Sequence, residues 1–266
     1  MLAVSGTAVV SYGSGYVFYK KWGTKGSADG QFNSPGGIAI DSSGDNVYVA
    51  DSHNNRIQKF TANGTFITKW GTKGSADGEF QTPAGIDVDS SGNVYVADTF
   101  NNRVQKFNAA GDFIESLGKA GHKNGEFNSP SGLSVDSSDH VYVTEKFNHR
   151  IQKLTSNGTF ITKWGGLGIK NGLFDSPAGL RIDSSGNVYV ADTGNNRIQK
   201  FTEKGHFTTK WGMMGTGNGQ ITNPQDVEIS LGNGRSALNI ELVYVLDSGN
   251  HRVQIFSSTP DFNHNN

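Results

Sequence analysis

The sequence predicts an all-β chain, a β-propeller of four-stranded antiparallel blades, and two observations carry that reading. A unit of about 47 residues recurs five times along the 266 residues. Each copy holds four short runs rich in β-branched and aromatic residues, divided by turn residues. Four antiparallel strands repeated around an axis are the blades of a propeller.

The repeat is read from its fixed points. Pro35, Pro83, Pro130, Pro177 and Pro224 each precede an apolar run, at spacings of 47 or 48 residues. Tyr48, Tyr95, Tyr142, Tyr189 and Tyr244 follow, then the acids Asp51, Asp98, Glu145, Asp192 and Asp247. Five residues beyond each acid stands an arginine: Arg56, Arg103, Arg150, Arg197 and Arg252. In the first unit the four strands fall at 37–41 (GIAID), 46–51 (NVYVAD), 56–60 (RIQKF) and 65–70 (TFITKW). The connectors carry turn chemistry, and Asn63-Gly64 and Asn157-Gly158 predict tight hairpins.

The ends decide how the ring closes. Residues 16–22 (YVFYKKW) align with a fourth strand, because Trp22 matches Trp70, and residues 8–12 align with a third. The last unit supplies three strands and stops near Phe256. That makes about 21 strands, against 20 for five four-stranded blades and 24 for six. The preferred closure places 16–22 as the outer strand of the last blade, removing two free edges. A six-bladed ring with one incomplete blade is the alternative. Residues 1–14 are then an extension or extra strand, 15–257 the propeller and 258–266 a tail.

Composition narrows the function. There is no cysteine, so disulfides, thiolate zinc sites and cysteine nucleophiles are excluded. Net charge is -1, from 23 basic and 24 acidic residues, which gives no global field for DNA. No apolar run approaches the ~18–20 residues that span a membrane. Residues 1–10 are apolar without a basic start, so no signal peptide is read and the compartment stays open. The expectation is a soluble monomer without a cofactor.

The pattern P-x-G-[IL]-x-[IV]-D…G-N-V-Y-V-A-D-x-x-N-N-R-[IV]-Q-K-F closely resembles the NHL repeat family over roughly residues 15–257. The resemblance implies a propeller, commonly six-bladed, that serves as a binding platform for proteins or RNA. Some relatives, such as the amidating lyases, are enzymes that bind zinc through several histidines near the axis.

Residues present in every blade are explained by what every blade needs. The Asp/Arg pairs read as a brace of the loop between the second and third strands. Asn54, Asn101, Asn148, Asn195 and Asn250 read as turn residues. The Asp41-Ser-Ser-Gly type of loop has too few carboxylates for the ~6–8 oxygens of a calcium site. Function is sought where blades differ. On the face carrying the second-to-third and fourth-to-first loops, Lys73, Phe100, His122, Lys123 and Phe147 are the candidates for binding a protein or peptide, with single-stranded RNA as the alternative. Along the innermost strand, Ala39, Asp87, Ser134, Arg181 and Glu228 change from blade to blade. Asp87, Ser134, Arg181 and Glu228 offer either a polar ligand site at the axis or a wet channel in which Asp and Arg pair. His53, His122, His149 and His251 keep a metal-dependent lyase or lactonase-like reading in view. Only His149 and His251 share a repeat position, too few for a three-ligand catalytic zinc, so no enzyme and no metal is expected.

Overall fold

The computed structural model describes residues 20–231 and 241–257. They form a five-bladed, all-β propeller in which each blade is a simple antiparallel meander. Blade one comprises β1 (Gly37–Ile40), β2 (Asn46–Asp51), β3 (Arg56–Thr61) and β4 (Phe66–Trp70). Blade two comprises β5 (Pro83–Val88), β6 (Val94–Asp98), β7 (Arg103–Phe107) and β8 (Phe113–Leu117). Blade three comprises β9 (Pro130–Val135), β10 (Val141–Glu145), β11 (Arg150–Leu154) and β12 (Phe160–Gly165). Blade four comprises β13 (Leu180–Ile182), β14 (Val188–Asp192), β15 (Arg197–Phe201) and β16 (Phe207–Trp211). Blade five shows β17 (Pro224–Leu231), β18 (Glu241–Asp247) and β19 (Arg252–Ser257) among the described residues. Among the described residues helix is confined to single 3-10 turns between the second and third strands of blades one, two, four and five, and none is long and apolar enough to cross a membrane.

Alternation along each strand sends one set of side chains to the blade ahead and the other to the blade behind. Tyr48, Ala50 and Ile57 of blade one join Ile86, Val94, Val96 and Phe107 of blade two in one buried cluster. Equivalent clusters fill the next three junctions. The tryptophan ending a fourth strand packs on the phenylalanine of the following blade, with ring centroids 5.8 Å apart for Trp70–Phe107 and 6.0 Å for Trp164–Phe201. Leu117 fills the same place without a ring. Near the axis the innermost strands approach so closely that a Cβ at Gly85 would run into the Ser131 carbonyl, and one at Gly132 into that of Ala178.

The junction of blades five and one differs from the others. Ile38 of β1 is exposed, as are Leu246 of β18 and Val253 of β19, although their counterparts Ile86, Ala97 and Val104 are buried; Ile40 is exposed where its counterpart Val88 is half-buried. Of the expected closing strand 16–22, residues 16–19 lie outside the described residues, as does the expected strand at 8–12. Trp22 packs on Phe60 with centroids 6.2 Å apart, as Trp70 does on Phe107, so it takes the place of a fourth-strand tryptophan behind blade one.

The hairpins are longer than the Asn-Gly pairs predict. Gly64 donates to the Thr61 carbonyl, Thr61 donates to Thr65, and only Gly64 of the turn takes a positive φ, 78°. A two-residue type I′ turn needs positive φ at both central residues; here Asn63 stays negative and glycine alone takes the left-handed bulge position.

The repeated polar residues form a clamp, seen clearly in blade two. The buried Asp98 carboxylate accepts from Gln81 N (2.7 Å), Asn101 Nδ2 (2.9 Å), Arg103 Nε (2.9 Å) and Gln105 Nε2 (3.1 Å). Arg103 Nη2 then donates to the carbonyls of Ala76 (2.6 Å) and Glu79 (2.9 Å), and Asn101 Nδ2 to that of Gly74 (2.8 Å). Gln105 donates to the Glu79 carbonyl and accepts from Gly78 N. The loop entering the blade is thereby fixed to the turn between its second and third strands. Asn101 is a clamp residue; the left-handed turn residue is its neighbour Asn102, at φ 55°. Asn102 Oδ1 accepts from Ser129 N (2.8 Å) and so ties blade two to blade three.

Two outcomes are expected from this architecture. Deleting residues 1–23 removes Trp22 and the segment predicted to close the ring, and thermal unfolding should move to distinctly lower temperature; a melting curve like the parent's would contradict the closure. Arg103→Ala strips a charge-assisted contact from a buried carboxylate. Denaturant titration should show a loss of about 1–3 kcal/mol, and an unchanged curve would contradict the bracing role of Arg103.

Candidate functional site

The second-to-third loops share one backbone course. His53, Phe100, Phe147, Gly194 and Gly249 each donate their amide to the loop entering their own blade, at Asn33, Gln81, Asn128, Asp175 and Thr222. The clamp therefore holds these positions alike, and their side chains are free to differ. Phe100 and Phe147 are 57% and 56% exposed, so the rings are not packed beneath the long loops. They stand at the same place on adjacent blades, each on a rigid turn.

The polar candidates gather around these rings. Asn101, next to Phe100, binds the Gly74 carbonyl, which brings the exposed Lys73 segment alongside. On blade three, His122 Nδ1 lies 2.6 Å from Asn148 Oδ1, and Asn148 Nδ2 donates to Gly121. His122, Lys123 and Phe147 thus form one exposed cluster. Lys146 Nζ sits 5.8 Å from the Phe147 ring centroid. Carboxylates of these loops are engaged in structure. Glu126 caps the amide of Lys123, Glu79 caps that of Ala76, and Asp77 lies 3.6 Å from Arg103. The face is mixed in charge rather than uniformly basic.

The axial candidates pair with one another. Arg181 Nη2 is 2.6 Å from Glu228 Oε2, and Nη1 is 3.6 Å from Asp87 Oδ2. Asp87 also accepts from Val135 N (2.9 Å) and Ser134 Oγ (3.1 Å). The structure thus brings Asp87, Ser134, Arg181 and Glu228 together at the axis, with Arg181 paired to both Asp87 and Glu228. Asp226 adds a carboxylate at a position occupied by Gly37, Gly85, Gly132 and Gly179 in the other blades. Burial pushes the carboxyls of Asp87 and Asp226 above the ordinary carboxylate range, against the pull of Arg181. At the loop-face end the channel opens into a cavity of about 200 Å³, walled by the glycines and small residues that begin each inner strand, with Arg181, Gln225 and Asp226.

His149 and His251 occupy the left-handed turn position, at φ 50° and 55°. His149 Nδ1 accepts from Ser176 N (3.0 Å), as Asn102 Oδ1 does from Ser129. It thus serves as a link between blades. Among the described residues no three of His, Asp and Glu converge as a metal-ligand set.

Four exposed apolar residues of the same face escape a reading that looks only for aromatic and charged residues. Leu167 and Ile169 lie on the loop entering blade four, Met213 and Met214 on that entering blade five. The signal was present: where the first two loops read Thr-Lys-Gly-Ser, these read Gly-Leu-Gly-Ile and Met-Met-Gly-Thr. Asp226 was legible in the same way, as a break in a column of glycines.

Comparison with known proteins places this geometry. The NHL repeat model matches residues 32–60, 80–107, 127–154 and 174–201. A search of curated proteins finds no match. Among solved structures, the chain is similar to a catalytically inactive virginiamycin B lyase from Staphylococcus aureus with quinupristin (18% identity, TM-score 0.57, 85% of this chain and 71% of that one). It is also similar to a chain of a nidogen/laminin complex (18%, TM-score 0.58, 84% and 79%). An auxiliary nutrient binding protein from Bacteroides thetaiotaomicron is similar too (16%, TM-score 0.61, 85% and 59%). At these identities the likeness is one of fold. The four matched repeats, each coinciding with the last residues of an entering loop and the first three strands of a blade, identify the chain as an NHL-repeat β-propeller.

Proposed function

We propose that this propeller is a non-catalytic platform that binds a protein or peptide through its loop face, at Lys73, Phe100, His122, Lys123 and Phe147. The observation that carries the reading is the exposure of Phe100 and Phe147 at equivalent places on adjacent blades. The fold does not need a ring there, since His53, Gly194 and Gly249 serve in the other blades. Large aromatic groups held on rigid turns lose little freedom on binding and are common anchors of interfaces. The mixed charge of the surrounding loops favours a protein over a nucleic-acid strand, which would call for a more continuous positive surface. The fold is compatible with either trade: nidogen appears in a complex with laminin, whereas the virginiamycin B lyase is an enzyme. In this chain the axial charges pair with each other and His149 links two blades.

The test is a paired substitution. Phe100→Ala with Phe147→Ala should leave the melting temperature nearly unchanged while removing the proteins that the parent chain captures from lysate, as identified by mass spectrometry. A large fall in melting temperature would make the rings structural. Unchanged capture would move the site elsewhere, and capture sensitive to ribonuclease would favour RNA.

A further inference from the structure

The loop face is graded around the ring. Its entering loops carry Thr24-Lys25 and Thr72-Lys73 on blades one and two, and Lys119-Ala120 on blade three. At the matching places the loops into blades four and five carry Gly166-Leu167 and Met213-Met214, with Ile169 two residues beyond Leu167. Leu167, Ile169, Met213 and Met214 are between 64 and 78% exposed.

The scaffold does not ask for these side chains. The clamp grips both loops by their backbone: Asn195 donates to the Gly168 carbonyl (2.9 Å) and Arg197 to that of Ile169 (2.7 Å). Asn250 donates to Gly215 and Arg252 to Thr216, each at 2.8 Å. Threonine, lysine and serine occupy the corresponding places elsewhere, under the same clamp. The apolar groups therefore sit on pinned backbone with their surface in water.

The groups also adjoin. The His149 carbonyl accepts from Gly166 N at 2.7 Å, so the turn bearing Phe147 meets the loop bearing Leu167. Gly212, just before Met213, lies so near Arg197 that a Cβ added there would come within 3.3 Å of the Arg197 Cα, and the Arg197 side chain holds Ile169. Phe147, Leu167, Ile169, Met213 and Met214 thus follow one another on successive loops of the same face, an exposed apolar ridge in the order of the blades. Cations flank it. Lys123 lies beside Phe147 and Lys170 follows Ile169; both are exposed, and among the described residues neither has a carboxylate within ion-pair distance. Glu126 is engaged with the Lys123 amide and Lys119, and Asp175 with Ser176 and His149.

We propose that this ridge seats an acidic amphipathic peptide segment, which lays its apolar side chains on Leu167, Ile169, Met213 and Met214 and its carboxylates over Lys123 and Lys170. The inference rests on the binding-platform reading and names the chemistry of the partner. Methionine and leucine side chains adapt to a varied apolar surface, as in other peptide-binding grooves. The exposed ammonium groups of Lys123 and Lys170 supply the complementary charge.

Fluorescence anisotropy with the whole chain tests it, using three labelled synthetic peptides of about 18 residues, long enough for a full amphipathic face. The first has a leucine face and glutamate elsewhere. The second replaces glutamate by lysine, and the third replaces leucine by serine. The first should bind saturably, and the other two at least about tenfold more weakly, a difference of about 1.4 kcal/mol. Leu167→Ser with Met214→Ser should weaken the first peptide by a similar factor at an unchanged melting temperature. Equal binding of the glutamate and lysine peptides, no saturable binding of the first, or parent-like affinity in the double variant would overturn the proposal. Phe100 lies off the ridge on blade two, which separates the two readings. Partner capture that depends on the phenylalanines but survives the ridge variant leaves the platform standing and refutes the ridge. Capture that survives loss of both phenylalanines refutes their role while the peptide titration still decides the ridge.

Discussion

The acid–arginine pair inside each clamp is the interaction on which the loop face depends. Five times a carboxylate with no solvent exposure meets an arginine Nε, at 2.5 to 2.9 Å. Removing two charges from water is costly, and an isolated buried pair often gains nothing over apolar packing. Here the other polar atoms are also satisfied. The carboxylate takes hydrogen bonds from an amide, an asparagine and a glutamine, and the guanidinium donates to carbonyls of the entering loop. Such a fully connected network fixes geometry more than it adds stability. What it fixes is a glycine-rich loop with little apolar content to hold it, in register with a turn more than twenty residues away.

That division of labour explains why the repeat is so regular and the face so varied. The clamp, the interlocking apolar flanks and the axial glycines repeat because each blade needs them to meet the next. Side chains pointing out of the clamped backbone carry no such duty. Around the ring they pass from Thr-Lys to Met-Met on the entering loops, and from His53 through two phenylalanines to glycine on the turns. The axis follows another rule. A single guanidinium, Arg181, stands among Asp87, Glu228 and Asp226, so its charge is spent on its neighbours.

Much of this was legible before any coordinates. Period, strand count per blade and the bracing role of Asp98 with Arg103 follow from what must recur in every unit. Phe100 and Phe147 were found because they break the repeat with aromatic rings. Three features were not read. Gln105 belongs to the clamp, but in RVQKF it looks like an ordinary alternating strand residue; only the fold brings it beside Glu79. Asn101 and Asn102 look interchangeable in sequence, yet one clamps the loop and the other turns the chain. Leu167, Ile169, Met213 and Met214 are not legible as surface groups, because leucine, isoleucine and methionine in a glycine-rich loop look like core residues until the fold leaves them facing water.

The central claim is that each buried acid–arginine pair holds the loop entering its own blade. Amide hydrogen exchange on Asp98→Asn tests it most directly, since asparagine keeps the shape and removes the charge. The account predicts that amides of residues 74–81, including Gly78 and Gln81, exchange about 10 to 100 times faster, corresponding to about 1.4–2.8 kcal/mol of lost local stability. The corresponding loops at 121–128 and 168–175, under their own clamps, should keep their protection. Equal acceleration in all loops, or none at 74–81, would contradict it.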